Sequence, residues 1–459
     1  MFIRHVMLVA GPVAAGLMGW ATYAFGGLTA DMAWTVTVTA WCALWWISEA
    51  VPIPVTSLLP LAIFPLVGVL GADDVGAAYG NHLVLLMLGG FMLSTAMERS
   101  GAHRRLALVM VTTVGSSSGR RLVLGFMIAS AMLSMWISNA ATTLMLFPIA
   151  MAVVDRIENE KLTSSLLLGI AYAASVGGIA TPIGTPPNLV FREIYYAQTQ
   201  IDVSFRQWMV WTLPIACLMI PAVGFWITRQ LQHDEPIALP PVGKWRREEI
   251  LTLAVFAVTA CLWMTRTEPW GGWSGLIGQP QVKDSSVALL AVVAMFIIPS
   301  GMSHRKLLDW ETAVKIPWGI LILYGGGIAI AKAFVESGLD QQLGETLKYV
   351  RLLPTLLIVA VICFSVTFLT EVTSNTAAAN VLMPILAALA AAAELEPRLL
   401  MVPATVSASF AFMLPVATPP NAIVFAAGKL TIPQMAREGF VLNLIGVVIV
   451  TTVCYLIFA

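Results

Sequence analysis

The chain has 459 residues, of which 58% are hydrophobic and 11% charged, and its mean hydropathy is +0.85. Soluble domains carry about 25% charged residues, so this composition excludes an ordinary soluble protein. The 25 basic and 25 acidic side chains cancel, and there is no basic face of the kind that binds nucleic acid. We therefore expect a polytopic protein of the lipid bilayer with no nucleic-acid partner.

Apolar stretches of about 20 residues, the length that crosses a bilayer as a helix, recur along the whole chain. The first follows Arg4 and is interpreted as an uncleaved helix rather than a signal peptide, because further spans come after it. The eleven predicted spans are residues 6–26, 33–49, 53–70, 82–99, 162–197, 206–229, 249–265, 285–299, 317–337, 399–427 and 434–458.

Two further apolar regions, 121–155 and 353–394, are each interrupted by a polar patch. Two full crossings need about 40 apolar residues, so both regions are predicted to be re-entrant hairpins. With a cytoplasmic N-terminus and non-crossing hairpins, most of the 25 Lys and Arg residues lie on the cytoplasmic side. This bias indicates a multi-pass protein of the inner (plasma) membrane with its N-terminus in the cytoplasm.

The two halves of the chain repeat each other in order and spacing. Ser138-Asn139 recurs as Ser374-Asn375, and a Thr-Pro-Pro-Asn segment follows each pair. An odd number of spans separates equivalent points, so the repeats are inverted and a ligand site is expected near the bilayer midplane. The predicted division is 1–229 (N-terminal helix and first repeat, with hairpin 121–155 and broken helix 162–197), 230–248 (cytoplasmic linker) and 249–459 (second repeat, with hairpin 353–394 and broken helix 399–427).

The hairpin tips are candidate anion sites. The Ser-Asn pair leaves N–H groups at the start of a short helix without intrahelical partners, and the helix dipole also favours an anion there. The prolines break a membrane helix and free carbonyls that suit Na⁺. Either motif alone also fits a helix cap or a kink, but their recurrence in register favours a ligand site. Side chains that can donate to a carboxylate are Ser138, Asn139, Ser374, Asn375 and Thr376.

These residues resemble the divalent-anion:sodium symporter family, whose members carry dicarboxylates, citrate or sulfate with Na⁺. The resemblance covers nearly the whole chain and implies an all-α inverted-repeat transporter. It also implies a homodimer in which a scaffold domain holds a transport domain that slides as an elevator. The implied activity is sodium-coupled import of C4-dicarboxylates such as succinate, malate and fumarate.

The resemblance also implies site residues. The first sodium site corresponds to Ser134, Ser138, Asn139 and Gly184, and the second to Thr370, Thr373, Asn375 and Ala417. The substrate site corresponds to Ser138, Asn139, Ser374, Asn375 and Thr376, with Thr185 and Thr418 nearby. One position departs from the family pattern, because Ala140 stands where a threonine is usual. This leaves one hydroxyl fewer at the first tip and puts strict C4 specificity in question.

Three other functions stay open at this point. A sodium-independent dicarboxylate exchanger and a sodium–sulfate symporter have the same fold. An intramembrane enzyme is disfavoured, because the sequence has no His-Glu-x-x-His zinc motif and no Gly-x-Ser-x-Gly elbow.

Two charged residues within the membrane segments are expected to have structural roles. Glu371 is expected to hold the second tip by hydrogen bonds, and Lys332 to pair with Glu336 one helical turn later.

Overall fold

The computed structural model describes residues 2–115, 117–154, 159–231, 242–269, 271–301, 305–347 and 353–459. Within these ranges the regular structure is helical, apart from one isolated antiparallel bridge between Pro299 and Lys306. The predicted linker at 230–248 lies partly outside the described residues.

Helices follow one another along both halves of the described chain. Those of the first half are α1 (Phe2–Ala24), α2 (Ala30–Ser48), α3 (Ile53–Thr56), α4 (Leu59–Val67), α5 (Ala72–Tyr79), α6 (His82–Ser100), α7 (Ala102–Val114), α8 (Gly119–Ser134), α9 (Asn139–Val154), α10 (Glu160–Gly178), α11 (Pro186–Thr199) and α12 (Phe205–Thr228). Those of the second half are α13 (Arg247–Met264), α14 (Gly272–Leu276), α15 (Asp284–Ile297), α16 (Trp310–Ala313), α17 (Trp318–Ser337), α18 (Leu339–Leu347), α19 (Thr355–Thr370), α20 (Asn375–Ala392), α21 (Pro397–Ser407), α22 (Pro419–Phe425) and α23 (Ile432–Phe458).

Among the described residues, six helices are long and apolar enough to cross a membrane. They are α1, α12, α17, α20, α23 and the segment Ala72–Ser100, which contains α5 and α6. The set includes α20, which the sequence analysis assigned to a hairpin; length and composition do not separate a hairpin helix from a crossing one. Among the other predicted spans, 33–49 and 249–265 correspond to the continuous helices α2 and α13, of 19 and 18 residues. The rest are broken or shorter, including the 14-residue α15.

The span predicted at 53–70 is wrong as a single helix. It consists of α3 and α4, which are separated at Ser57 and Leu58. Pro60 has no N–H to donate to Thr56, which weakens a continuous helix at this turn. The freed Thr56 carbonyl instead accepts a weak hydrogen bond from Cys42 Sγ at 3.8 Å.

Both predicted hairpins are helix pairs joined by a short tip. The first is α8 and α9 with the tip at 135–138, and the second is α19 and α20 with the tip at 371–374. Each predicted broken helix contains a non-helical break. The first break is 179–185, between α10 and α11, and the second is 408–418, between α21 and α22. Pro186 and Pro419 start the second segments, where a missing N–H costs nothing.

The two halves pack crosswise around these interruptions. Hairpin helices α8 and α9 pack against α10, and α19 and α20 pack against α21, each within its own half. In addition α9 contacts α22, and α20 contacts α11. Each hairpin therefore touches the second segment of the other half's broken helix, which brings both interruptions into one region of the molecule.

Candidate functional site

Each hairpin tip carries a hydroxyl–carboxamide pair with the same geometry. Ser134 Oγ donates to Asn139 Oδ1 at 2.6 Å, and Thr370 Oγ1 donates to Asn375 Oδ1 at 2.6 Å. The two hydroxyls are buried at the ends of α8 and α19, whereas the amides begin α9 and α20 and are half-buried. Because the amide oxygen faces the hydroxyl, the Nδ2 group of each amide is left to donate to a ligand.

The two tip serines differ. Ser138 Oγ accepts from the backbone N–H of Ala141 at 3.2 Å and caps α9. Among the described residues, Ser374 makes no such capping bond to α20. The Ala141 N–H, which was predicted to lack an intrahelical partner, is therefore already paired with the Ser138 side chain. An anion at the first tip has to share the Ser138 hydroxyl with the helix cap.

The asparagines of the two Pro-Pro-Asn segments hold the breaks in the same way. The Nδ2 group of each donates to two carbonyls of its own break. The four distances are 3.0 Å (Asn188 to Gly178), 2.7 Å (Asn188 to Thr181), 3.0 Å (Asn421 to Ala411) and 3.0 Å (Asn421 to Leu414). Both side chains are fully buried, and within the described chain both Oδ1 atoms lack a hydrogen-bond partner. Such orphaned acceptors suit a bound cation.

Three residues of the first predicted sodium site lie together. Ser134 and Asn139 are hydrogen-bonded, and Gly184 passes directly behind them. A Cβ on Gly184 would lie 3.0 Å from the Ser134 carbonyl oxygen and 2.5 Å from that of Gly178. Carbonyls of the break and the tip therefore approach each other where no side chain fits. Within the described chain, no hydrogen bond joins the fourth residue, Ser138, to these three.

The second predicted sodium site is assembled only in part. Thr370 Oγ1 lies 2.6 Å from Asn375 Oδ1 and 3.0 Å from Ala408 O, the first residue of the second break. Thr373 is buried but bonds back to its own helix, at 3.0 Å from Leu369 O. Ala417 is buried at the far end of the break. In the described part of the chain, no hydrogen bond joins Thr373 or Ala417 to Thr370.

The remaining predicted substrate residues are buried hydroxyls. Thr376 is the second residue of α20, and Thr185 and Thr418 precede α11 and α22. Thr418 Oγ1 accepts from Asn421 N at 3.3 Å, whereas Thr185 makes no capping bond with the described residues. No hydrogen bond links one tip directly to the other within the described ranges. Crosswise helix packing, rather than contact between the tips, places the two sets in one region.

A narrow cavity opens beside the first tip. Its lining combines tip residues, Ile183 of the break and one face of α6. The residues are Met87, Gly90, Phe91, Ser94, Trp136, Ile137, Ser138 and Ile183. The Ser138 hydroxyl and the Ser94 side chain are polar groups in an otherwise apolar wall.

A carboxylate ties the second tip to its break, as expected for Glu371. Its two oxygens accept from Met413 N at 2.9 Å, Leu414 N at 3.0 Å and Asn443 Nδ2 at 2.7 Å. The first tip is tied differently, because Thr181 Oγ1 donates to the Met135 carbonyl. Both tips are therefore fixed to a break, one through a charged group and one through a neutral group.

Three residues that shape the site were not predicted from the sequence. Tyr324 of α17 donates its hydroxyl to the carbonyl of Pro186, the first residue of α11. No local signal marks it, since it is an aromatic residue in an apolar span. Asn188 and Asn421 were part of a recognised motif but were not assigned to the site; their recurrence at equivalent positions is the signal that would have found them.

Comparison with known proteins decides the family. The family model described as the sodium:sulfate symporter transmembrane region matches residues 4–458. The chain belongs to the sodium:sulfate symporter family. Membership confirms the predicted resemblance and identifies a multi-pass membrane transport protein rather than an enzyme.

Relatives within this symporter family include proteins named as dicarboxylate carriers. The sodium-dependent dicarboxylate transporter SdcS of Staphylococcus saprophyticus is 41% identical over 444 residues, covering 92% of this chain and 85% of that protein. The protein of the same name from Staphylococcus aureus is 39% identical over 453 residues, covering 93% and 86%.

Solved structures with the same fold are more distant in sequence. The YdaH transporter of Alcanivorax borkumensis has a TM-score of 0.58 and 14% identity, covering 85% of this chain and 87% of that one. MtrF of Neisseria gonorrhoeae, described as illuminating a class of antimetabolite efflux pumps, has a TM-score of 0.59 and 12% identity, covering 85% and 83%. At such identities the likeness concerns the fold alone, and it confirms the predicted all-α polytopic transporter.

Proposed function

We propose that this chain is a secondary active transporter that imports C4-dicarboxylates, such as succinate, malate and fumarate, together with Na⁺. The observation that carries the proposal is the duplicated tip: Ser134–Asn139 and Thr370–Asn375 present equivalent amides at the same 2.6 Å hydroxyl spacing. Two donor groups on opposite halves match a substrate with two carboxylates. The names of the staphylococcal relatives support the same substrate class and the sodium dependence.

Sodium is proposed as a co-transported substrate with at least two sites. The proposed ligands are Ser134, Ser138, Asn139 and Gly184 for one site, and Thr370, Thr373, Asn375 and Ala417 for the other. Hydroxyls, amide oxygens and break carbonyls are neutral oxygen donors, which suit a hard monovalent cation. The unpaired Oδ1 atoms of Asn188 and Asn421 support a cation near each break. Since each cation offsets the charge of the dicarboxylate, the affinity of each is expected to rise when the other is bound.

The proposed carrier is a homodimer of the plasma (inner) membrane that moves its site by an elevator motion. In this arrangement the N-terminus is cytoplasmic, and eleven crossings with two re-entrant hairpins put the termini on opposite sides. The distribution of basic residues supports this orientation. Reporter fusions at each terminus test this orientation. A reporter that is active only in the cytoplasm should be active at the N-terminus and inactive at the C-terminus. Activity of the same reporter at both ends would contradict the crossing number.

Uptake into proteoliposomes tests the transport activity. Labelled succinate is offered either under an inward Na⁺ gradient or to vesicles preloaded with unlabelled succinate and no sodium. We expect accumulation under the gradient alone, and little uptake by the Asn139→Ala or Asn375→Ala variant. Uptake only into preloaded vesicles would identify an exchanger instead. Inhibition by sulfate but not by excess unlabelled malate would identify a sulfate carrier.

A further inference from the structure

A second cavity, remote from the tips, is lined by cationic side chains. It opens where α10 and α23 begin and α12 ends, so it combines residues from both halves of the chain. Its polar lining includes Lys161, Ser164, Arg229, Gln434, Arg437 and Glu438. Three basic groups and one carboxylate line it, which leaves an excess of two positive charges.

The single carboxylate is already engaged. Arg229 binds Glu438 through both guanidinium nitrogens, at 2.8 and 3.0 Å, and is held over the Trp226 ring at 3.8 Å. Arg437 also reaches Glu438, at 3.1 Å, but stays largely exposed. Lys161 is exposed and forms no ion pair with the described residues. Arg229 is therefore a fixed wall of the cavity. Lys161 can meet an anion, and so can Arg437, which binds Glu438 through one nitrogen and has a side chain that is 72% exposed.

The helices that form the cavity place it at the membrane boundary. At 1.5 Å per residue, the 24 residues of α12 and the 27 of α23 span about 36 and 40 Å. These lengths exceed the hydrocarbon thickness of about 30 Å, so the helix ends reach the headgroup layer. The cavity lies at those ends.

An exposed apolar face extends away from the cations on both helices. On α12, Phe225 lies one turn before Arg229 and is 76% exposed. On α23, the residues that follow Arg437 at helical spacing, Phe440, Leu444 and Val448, are also exposed. A cationic helix end joined to an apolar face matches a lipid, which has an anionic headgroup and apolar chains. A free anion in water would contact the cationic cavity but not the apolar face.

We propose that this cavity binds the phosphate headgroup of an anionic phospholipid, whose acyl chains lie along α12 and α23. Lys161 and Arg437 contact the phosphate, and Arg229, fixed by Glu438, shapes the floor. Phosphate is the chemistry that the cations recognise, and the adjoining apolar faces favour its membrane-bound source. The site is separate from the proposed sodium and dicarboxylate residues, so its failure would leave the transport proposal intact.

Lipid titration of the detergent-solubilised full chain tests this site. Phosphatidylglycerol, phosphatidylcholine and inorganic phosphate are added separately, and bound lipid is counted by native mass spectrometry alongside the melting temperature. We expect retained phosphatidylglycerol and a raised melting temperature, with neither effect from the other two additions. The Lys161→Gln/Arg437→Gln variant should lose about tenfold or more in phosphatidylglycerol affinity, because it removes both basic groups that contact the phosphate.

The matched control is Arg104→Gln/Lys315→Gln. It removes the same charge from two exposed positions outside the cavity and should bind phosphatidylglycerol like the wild type. Equal loss in both double variants would show that lipid responds to overall charge, and this would overturn the site. Stabilisation by inorganic phosphate to the same extent would overturn the lipid as its source. If the Lys161→Gln/Arg437→Gln variant bound phosphatidylglycerol with wild-type affinity, both the site and the lipid assignment would be overturned.

Discussion

Asn188 and Asn421 perform two tasks with different atoms of one side chain. Their Nδ2 groups hold the breaks by pairing two carbonyls each, and their Oδ1 atoms lack a partner among the described residues. A substitution that removes only one of these atoms therefore separates the structural task from the proposed cation task. Leucine removes both at nearly the same volume, whereas aspartate keeps an oxygen acceptor and loses the donor.

The variants Asn188→Leu and Asn421→Leu are expected to lower the melting temperature, because each removes two hydrogen bonds to carbonyls of its break, which contribute about 1 kcal/mol apiece. Each should also raise the half-saturating Na⁺ concentration for succinate uptake by about tenfold or more, equivalent to about 1.4 kcal/mol. The matching aspartate variants should lose stability but keep sodium affinity. Equal loss of sodium affinity in the aspartate and leucine variants would contradict the cation role of Oδ1.

Ala140 marks a chemical difference between the starts of α9 and α20. Its counterpart in α20 is Thr376, so only the second tip offers a hydroxyl at the second helical position. Ala140→Thr should lower the succinate concentration for half-maximal uptake by about tenfold, since a hydrogen bond to a charged group contributes about 1.5–3 kcal/mol. Ala140→Val supplies the same shape without the hydroxyl. Indistinguishable threonine and valine variants would show that volume, not hydrogen bonding, matters there.

The ion-pair partner of Lys332 was predicted wrongly from the sequence. Helical spacing predicted a pair with Glu336, but Lys332 Nζ binds Asp74 Oδ1 of α5 at 2.7 Å. Spacing along one helix fixes which partners are possible, and tertiary packing chooses between them. Glu371 was predicted better, because a carboxylate beside a helix break has unpaired N–H groups close at hand.

Hairpins and breaks were predictable as elements because their signals are local. Proline positions fix where a helix can begin, and Pro186 and Pro419 do so in both halves. The short helices α5, α7 and α18 were not predicted. They carry charged residues and are shorter than a bilayer crossing, so a search for apolar spans passes over them. Their existence depends on packing beside longer helices, which the sequence does not display.

Close contact between α8 and α10 positions the first tip. A Cβ on Gly177 would lie 2.3 Å from the carbonyl oxygen and 2.6 Å from the Cα of Ala131. Backbone atoms cannot rotate away, so Gly177→Ala must separate the helices, at about 1–3 kcal/mol for overpacking. We expect a lower melting temperature and several-fold slower uptake, because Ser134 ends the displaced helix.

Gly76→Ala is the matched control for this glycine. No described atom outside its own stretch of α5 lies within 4 Å of the added Cβ. Alanine is favoured over glycine within a helix by about 0.5–1 kcal/mol, so this variant should be neutral or slightly more stable. Wild-type uptake by Gly177→Ala would show that the tip tolerates a change in the spacing of α8 and α10.

At the scale of the whole molecule, a buried charged cluster joins the two halves. Asp284, at the start of α15, lies 3.0 Å from Arg192 Nη2 of α11 and 2.6 Å from Arg266 Nε, which follows α13. All three side chains are at most 3% exposed. Asp202 and Lys283 pair beside them at 2.8 Å. Burial alone would raise the pKa of Asp202, but Arg192 and Lys283 bring it below its ordinary value.

Removing the shared carboxylate should therefore destabilise the assembled protein more than any surface pair. Asp284→Asn leaves two buried arginines short of a countercharge, a change that costs about 3–5 kcal/mol. The control is Glu268→Gln, which breaks the exposed pair of Glu268 with Arg206 at 3.2 Å and should cost about 0–1 kcal/mol. Melting temperatures of the two variants in the same detergent measure the difference. Equal melting temperatures would show that the buried arginines tolerate the loss of Asp284. Packing of the apolar helices, and not the charged cluster, would then hold the two halves together.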